Sequence, residues 1–290
     1  MEAKTNFIGV LLAIFTLAIP HFNINAQSAS EKLEDEIAVL FDSLRSSSSD
    51  SMSHAIGKEI SKKMGTLLET SDSSFYAPLN KLKFIGKCYS DNGDIRVYTW
   101  NYPLSDKTYG YGGYVQFKPT KKRIKQQVKP IALNTNGNAY LPKAGPRVSS
   151  NSWYGALYYS IISTKKDGDN YYIFLGWGGN DALSDFKVAE TVKISNNDKK
   201  ITFGGVSAFN GNGKSTNRLV LQFSNDARVS LDYDNVNKRI IMDHLSPSDP
   251  FYNGIYSYYG PDFTYDAYLF DKKSKGVWRL QENIDAKNQD

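Results

Sequence analysis

Cysteine is nearly absent from this 290-residue chain, with Cys88 as its single copy, so no internal disulfide can form and stability has to come from burial. Histidine is almost as scarce, at three residues. Cys88 has no Cys or His neighbours at metal-ligand spacing, which excludes a zinc ribbon or an iron–sulfur site. Its setting, Phe84-Ile85-Gly86-Lys87-Cys88-Tyr89, reads as a strand in which it is a small buried hydrophobe. No Gly-x-Ser-x-Gly elbow is present for a serine nucleophile. Nor is any apolar run long enough to cross a bilayer, which takes about 20 residues; the longest, Phe7 to Ile19, is too short.

That run follows a short polar stretch with Lys4 and precedes a polar tail ending Ile24-Asn25-Ala26, the order of parts of a secretory signal. Residues 1–26 are therefore expected to be a leader cleaved after Ala26, sending the chain to a periplasmic or extracellular destination with no transmembrane segment in its mature form. No cofactor or metal is called for by any pattern in the sequence.

Aromatics are plentiful, 20 Tyr and 15 Phe against 4 Met, which favours strands over helices. Between Glu31 and Arg45, Leu33, Ile37, Leu40, Phe41 and Leu44 fall on one helical face, and Ile56, Ile60, Met64, Leu67 and Leu68 repeat the pattern, with Ser51 or Ser53 available as N-cap. Residues 27–75 should form a helical hairpin. From there, residues 76–290 carry short Tyr-, Phe-, Val- and Ile-rich runs separated by Asn, Asp and Gly clusters that favour hairpin turns. The expected runs are 83–90, 94–102, 112–118, 154–164, 170–177, 187–195, 200–208, 218–224, 227–233, 238–243, 264–271 and 276–281. The expectation is a mainly β (α+β) protein: a helical hairpin, then a large antiparallel β domain, sandwich- or barrel-like sooner than propeller-like.

The net charge of +5 is concentrated. Lys118, Lys121, Lys122, Arg123, Lys125 and Lys129 occupy twelve residues without an acid, and the rest of the chain is close to neutral. No aromatic interleaves this stretch, so nucleic-acid binding is not expected. A solvated, charge-guarded strand edge is one reading, and contact with an anionic surface or glycan is the other.

Four chemistries deserve testing. Residues Ala208 to Ser215 satisfy a permissive phosphate-loop pattern, but the strand-like Leu219 to Phe223 follows where a helix is required. Ser-x-x-Lys occurs at Ser163–Lys166 and Ser184–Lys187 without opening a helix. Asp91, Asn92 and Asp94, and Asp167 with Asp169, gather oxygen ligands without completing a calcium loop. Beyond the leader only His54 and His244 could serve as a general base. His244 ends an expected strand with Asp243 before it and Ser246 behind it, and Asp262 and Asp266 form a carboxylate pair nearby in sequence.

A fifth feature is Gly176-Trp177-Gly178-Gly179-Asn180-Asp181. Here Trp177 with Asn180 and Asp181, joined by Tyr109, Tyr111, Tyr114 and Trp153, could form a glycan or peptide platform, or simply an aromatic core with a glycine turn.

Residues 80–288 resemble a group of uncharacterised exported bacterial proteins with an all-β body. The resemblance is carried by Tyr154-Gly155-Ala156-Leu157-Tyr158-Tyr159, Leu175-Gly176-Trp177, Phe203-Gly204, Ile241 to Pro247 and Tyr259 to Asp266. It implies export and a β body and no catalytic residues. The functional expectation is a non-enzymatic recognition protein for an unknown protein, cell-surface component or glycan. Its alternatives are an envelope-polymer hydrolase using His244 with Asp243, Asp262 and Asp266, or an assembly partner that docks through the helical hairpin.

Overall fold

The computed structural model describes residues 24–284 apart from 138, 196 and 274, with side chains from residue 29 onward. The expected leader, except for its last three residues, lies outside the described residues. Two helices open the fold, α1 (Ile24–Arg45) and α2 (Asp50–Glu69), the second capped by Ser49 rather than Ser51 or Ser53, through an N–H from Met52. Strands β1 (Gly86–Tyr89), β2 (Ile95–Pro103) and β3 (Tyr109–Phe117) follow, then a short helix α3 (Lys121–Lys125) and strands β4 (Ile131–Leu133) and β5 (Val148–Ser149). Long strands β6 (Leu157–Lys166), β7 (Asp169–Gly179) and β8 (Ser184–Ser195) lead to β9 (Lys200–Phe203), β10 (Phe209–Gly211), β11 (Lys214–Thr216) and β12 (Arg218–Ser224). The chain finishes with β13 (Leu231–Asp234), β14 (Arg239–Pro247), β15 (Tyr259–Asp271) and β16 (Val277–Ile284).

These strands make three open sheets and no closed barrel, ordered β1-β2-β3-β4, β5-β9-β8-β7-β6, and β11-β10-β16-β15-β14-β13. Pairing between named strands is antiparallel except for β10 with β16. β8 pairs with β7 along one edge, while its other edge is shared between β9 at Val192–Ser195 and β12 at Ser184–Glu190.

Strand alternation explains why the sheets stack. In β7, Tyr172 and Phe174 face the first sheet, where they meet Val97, Val115 and Phe117, whereas Tyr171, Ile173 and Leu175 face the third, where they meet Ile240, Met242 and Trp278. The middle sheet is thus buried on both faces, and its strands read as near-continuous apolar runs. On the outer face of the first sheet, Tyr98, Trp100, Tyr102 and Tyr114 pack against Ile37, Phe41, Ile60, Met64 and Leu67 of the hairpin. The order of layers is therefore helices, sheet, sheet, sheet.

Each of the three interlayer cores holds one fully buried tryptophan, namely Trp100, Trp153 and Trp278. Burial of such a side chain contributes on the order of 3 kcal/mol. The tight face of the first sheet also needs glycine: a Cβ at Gly110 would lie 2.2 Å from the Tyr102 ring, and one at Gly112 2.4 Å from Trp100.

One further expectation is corrected here. The basic stretch after Lys118 is not a strand edge, because Thr120 accepts the Arg123 N–H and caps α3. The helical hairpin buries its apolar stripe against Tyr98, Trp100, Tyr102 and Tyr114, and leaves Val39 and Met52 exposed.

Candidate functional site

The aromatic platform expected around Trp177 is a packing arrangement. Trp153 and Tyr111 are buried, and Tyr111 Oη accepts the Gly179 N–H at 2.9 Å, so neither offers a face to a ligand. The glycines make room for rings: a Cβ at Gly178 would meet Phe186 at 2.3 Å, and one at Gly179 would meet Tyr109 at 2.4 Å. Trp177 is half-buried against the edge of Tyr109. Asp181 accepts the N–H groups of Leu183 and Ser184, and Asn180 donates to Asp181 and Ser184, which is turn chemistry.

The phosphate-loop pattern is a β-hairpin. Asn212 and Gly213, both at positive φ, turn β10 into β11, and no helix follows. Both Ser-x-x-Lys matches lie on strands, β6 and β8. His54 Nδ1 lies 3.1 Å from Tyr102 Oη at the hairpin–sheet interface. The candidate calcium ligands have other partners: Asp94 binds Arg123, Asp91 accepts from Ser163, and Asp169 pairs with Lys193. Among the described residues no group of three or more His, Cys, Asp or Glu side chains could hold a metal ion.

The outcome differs at the β14–β15 hairpin. Between the paired residues Asp243↔Tyr265 and Leu245↔Pro261, β14 supplies one residue, His244, while β15 supplies three, Asp262, Phe263 and Thr264. The excess on β15 bulges outward, with Phe263 at φ +70° and 90% exposed. Asp262 shapes the bulge by accepting from the Thr264 N–H and hydroxyl through Oδ1, and from the Ser246 hydroxyl at 2.8 Å through Oδ2. His244 lies opposite. Its Nδ1 donates to Asp266 Oδ2 at 2.8 Å, and its Nε2 is 4.0 Å from Asp262 Oδ2. Asp266 is in turn fixed by the Asn283 N–H at 3.1 Å.

Three of the four expected acid–base residues, His244, Asp262 and Asp266, therefore meet at one point. Asp243 does not join them; it is buried and accepts the Ser230 N–H at 2.7 Å, pegging β14 to the segment before β13. The Asp266 hydrogen bond raises the pKa of His244, with the charges of Asp266, Asp262 and Glu282 adding to it against the opposing effect of burial. Asp262 is held below the usual carboxylate range by the Thr264 hydroxyl and the Ser246 hydroxyl, against partial desolvation. The result is an imidazole held between two carboxylates, which favour its protonated form. Ser246 donates to Asp262 and not to His244, so in this arrangement His244 does not activate the Ser246 hydroxyl.

The loop from Ser248 to Tyr258 closes the same hairpin. Asp249 caps a 3₁₀ turn through the Phe251 N–H, Tyr252 stacks on Tyr258 with ring centroids 4.0 Å apart, and the Tyr259 hydroxyl bridges Asn253 and Gly254. This internal bonding gives the loop a fixed shape. Its large apolar side chains nonetheless face outward: Phe251 is 85% exposed, and Ile255, Tyr256 and Tyr258 are each exposed by nearly half. Beside it runs a groove of about 520 Å³ lined by Tyr258, Tyr259, Ser246, Ser248, Asp226 and Asp262. Ser246 and Asp262 belong to both the groove and the His244 cluster.

Sequence reasoning did not find this aromatic loop. The available signal was Pro247 to Pro261, in which six apolar or aromatic side chains sit among Pro, Gly, Ser and Asn without strand alternation. No family model matches the chain, and neither the curated proteins nor the solved structures include a significant match to it.

Proposed function

We propose that the protein is an exported recognition module that binds a cell-surface component, a glycan or a protein, through the β14–β15 loop and its groove without turning it over. The observation that carries this reading is the outward display of Phe251, Tyr256 and Tyr258 on a loop whose own hydrogen bonds already fix its shape, together with Phe263 exposed on the β15 bulge that follows. Exposed aromatic patches of this kind serve as interaction sites, because each ring supplies large contact area at little entropic cost. The adjoining Ser246, Ser248, Asp226 and Asp262 add the hydroxyl and carboxylate groups that orient a polar ligand. Export rests on the leader-like residues 1–26 and the resemblance of the β body to exported proteins.

The test is a binding assay on insoluble glycans and on an envelope-protein extract with the Phe251→Ala/Phe263→Ala variant. Binding to one of these should fall about tenfold or more while thermal unfolding is unchanged, as expected for exposed side chains. Equal binding by variant and parent would refute the reading.

The hydrolase alternative draws on the convergence of His244, Asp262 and Asp266. Against it stands the pairing of the Ser246 hydroxyl with Asp262 and not with His244, which leaves that hydroxyl without a hydrogen bond to the imidazole. Turnover of an envelope polymer that is abolished in His244→Gln, with the fold intact, would favour hydrolysis over binding.

A further inference from the structure

The basic stretch acquires a partner region in space. Arg123 is the one cation of α3 that turns inward: its Nη1 and Nη2 donate to Asp94 at 2.7 and 2.8 Å, and its Nε donates to Asp198 at 2.8 Å. Asp198 belongs to the β8–β9 turn, so this bond ties that turn, with Lys199 and the adjoining first residue of β9, Lys200, to the α3 surface. Lys118, Lys121, Lys122, Lys125, Lys199 and Lys200 are all exposed, and none makes an ion pair among the described residues. Lys129 is the exception, pairing with Glu69 at 2.8 Å.

One apolar side chain stands in this field. Ile124, between Arg123 and Lys125, is 51% exposed, and with Pro119, Val128 and Pro130 it borders a cleft of about 480 Å³ whose floor includes Leu68 and Phe117. A surface meant only to stay soluble, or to meet a hydrated polyanion, gains nothing from an isoleucine at this place. At a bilayer interface the combination is favourable, since the apolar side chain enters the acyl boundary while the lysine stems extend to the headgroup phosphates.

We propose that the face formed by α3 and the β8–β9 turn docks on an anionic phospholipid bilayer, with Ile124 inserted and the six lysines against lipid phosphates. This site is separate from the aromatic loop and does not depend on the binding proposed there. Each lysine near an anionic surface contributes about a fivefold gain in membrane partitioning.

Co-sedimentation of the full chain with vesicles tests it, using phosphatidylcholine alone and phosphatidylcholine with about a third phosphatidylglycerol. Binding should require phosphatidylglycerol and weaken as salt rises. Lys121→Ala/Lys122→Ala should lower partitioning about twenty-five-fold, from two charges at roughly fivefold each. Ile124→Ser should reduce vesicle binding several-fold without changing adsorption to soluble dextran sulfate. Unfolding midpoints equal to the parent's confirm that exposed side chains alone were altered. No preference for phosphatidylglycerol overturns the proposal. So does an Ile124→Ser variant that binds vesicles as the parent does, which would assign the patch to soluble polyanions instead.

Discussion

Glu190 and Arg218 form an ion pair inside the core between the first and middle sheets, at 0% and 1% side-chain exposure. Glu190 Oε2 accepts from Arg218 Nε at 2.9 Å, and Nη2 lies 2.8 Å from the same oxygen. Oε1 accepts from the Tyr158 hydroxyl at 2.8 Å and from the Tyr154 hydroxyl, while Arg218 Nη1 donates to the carbonyls of Lys143 and Pro146. Burial first, and the Glu190 charge second, raise both tyrosine pKa values well above the ordinary range, so both remain neutral donors. Replacing Glu190 with Gln keeps the shape and the acceptor for the tyrosines but leaves a guanidinium buried without a counter-charge. Such a loss costs about 3–5 kcal/mol, a large part of the total stability of a typical protein. Arg218→Met should cost a similar amount, because it strands the carboxylate and two carbonyls. The double variant should be less destabilised than the sum of the singles by about 2 kcal/mol, the coupling expected of neighbouring charges. Denaturant unfolding followed by tryptophan fluorescence is the assay, with one buried tryptophan reporting from each interlayer core. Single variants costing less than about 1 kcal/mol, or strictly additive costs, would refute the claim that this pair is desolvated and coupled.

Two further outcomes follow from titrating groups. His244 is held above its ordinary pKa in the folded protein by its bond to Asp266, so its contribution to stability is full below the unfolded value of about 6.5 and is lost as pH rises through the folded value. An NMR titration of the imidazole should give a midpoint above that of a free histidine, reduced by Asp266→Asn; a midpoint at or below the free value sinks the clamp. Burial pushes the Cys88 thiol up to about 12, against the pull of the Arg96 charge. A disulfide reagent should therefore leave the native protein unmodified at mildly alkaline pH and label one thiol after unfolding, whereas rapid native labelling would show that the Cys88 strand opens.

The periodic elements were legible because each buries a face. The hairpin stripes from Leu33 to Leu44 and from Ile56 to Leu68, and the long strands around Val97, Phe174 and Val188, repeat at the spacing that their geometry demands. Short pieces were not. The strands β4, β5, β10 and β11 have two or three residues each, too few for a period to emerge, and β5 and β10 are held by β9 and β16, far away in sequence. The expected strand 200–208 stops at Phe203, where Gly204 takes φ +70° and the Asn217 side chain donates to its carbonyl. The Glu190–Arg218 pair was equally hidden, because nothing in a strand's local pattern reveals that an acid faces an arginine 28 residues on.

The site divides along the same physical line. His244, Asp262 and Asp266 could be nominated from residue type and proximity in sequence, but their meeting depends on a three-against-one bulge that no spacing rule supplies. The aromatic candidates separated by context. Tyr111 sits in a strand and Trp153 at the entry to one, and both are in the core, because a ring set among alternating or glycine-flanked strand residues is placed there to fill space between sheets. Phe251, Tyr256 and Tyr258 sit among Pro250, Asn253, Gly254 and Ser257, where the backbone turns too often to bury a face, so their rings face the solvent. Phe263 follows the same rule from inside a strand, since the bulge suspends the alternation there. An aromatic residue in this fold is therefore a candidate for recognition where the periodicity breaks, and a candidate for packing where it holds. On the proposed reading, Phe251→Ala and Phe263→Ala should lower binding with unfolding unchanged, while Trp153→Ala should lower the unfolding midpoint.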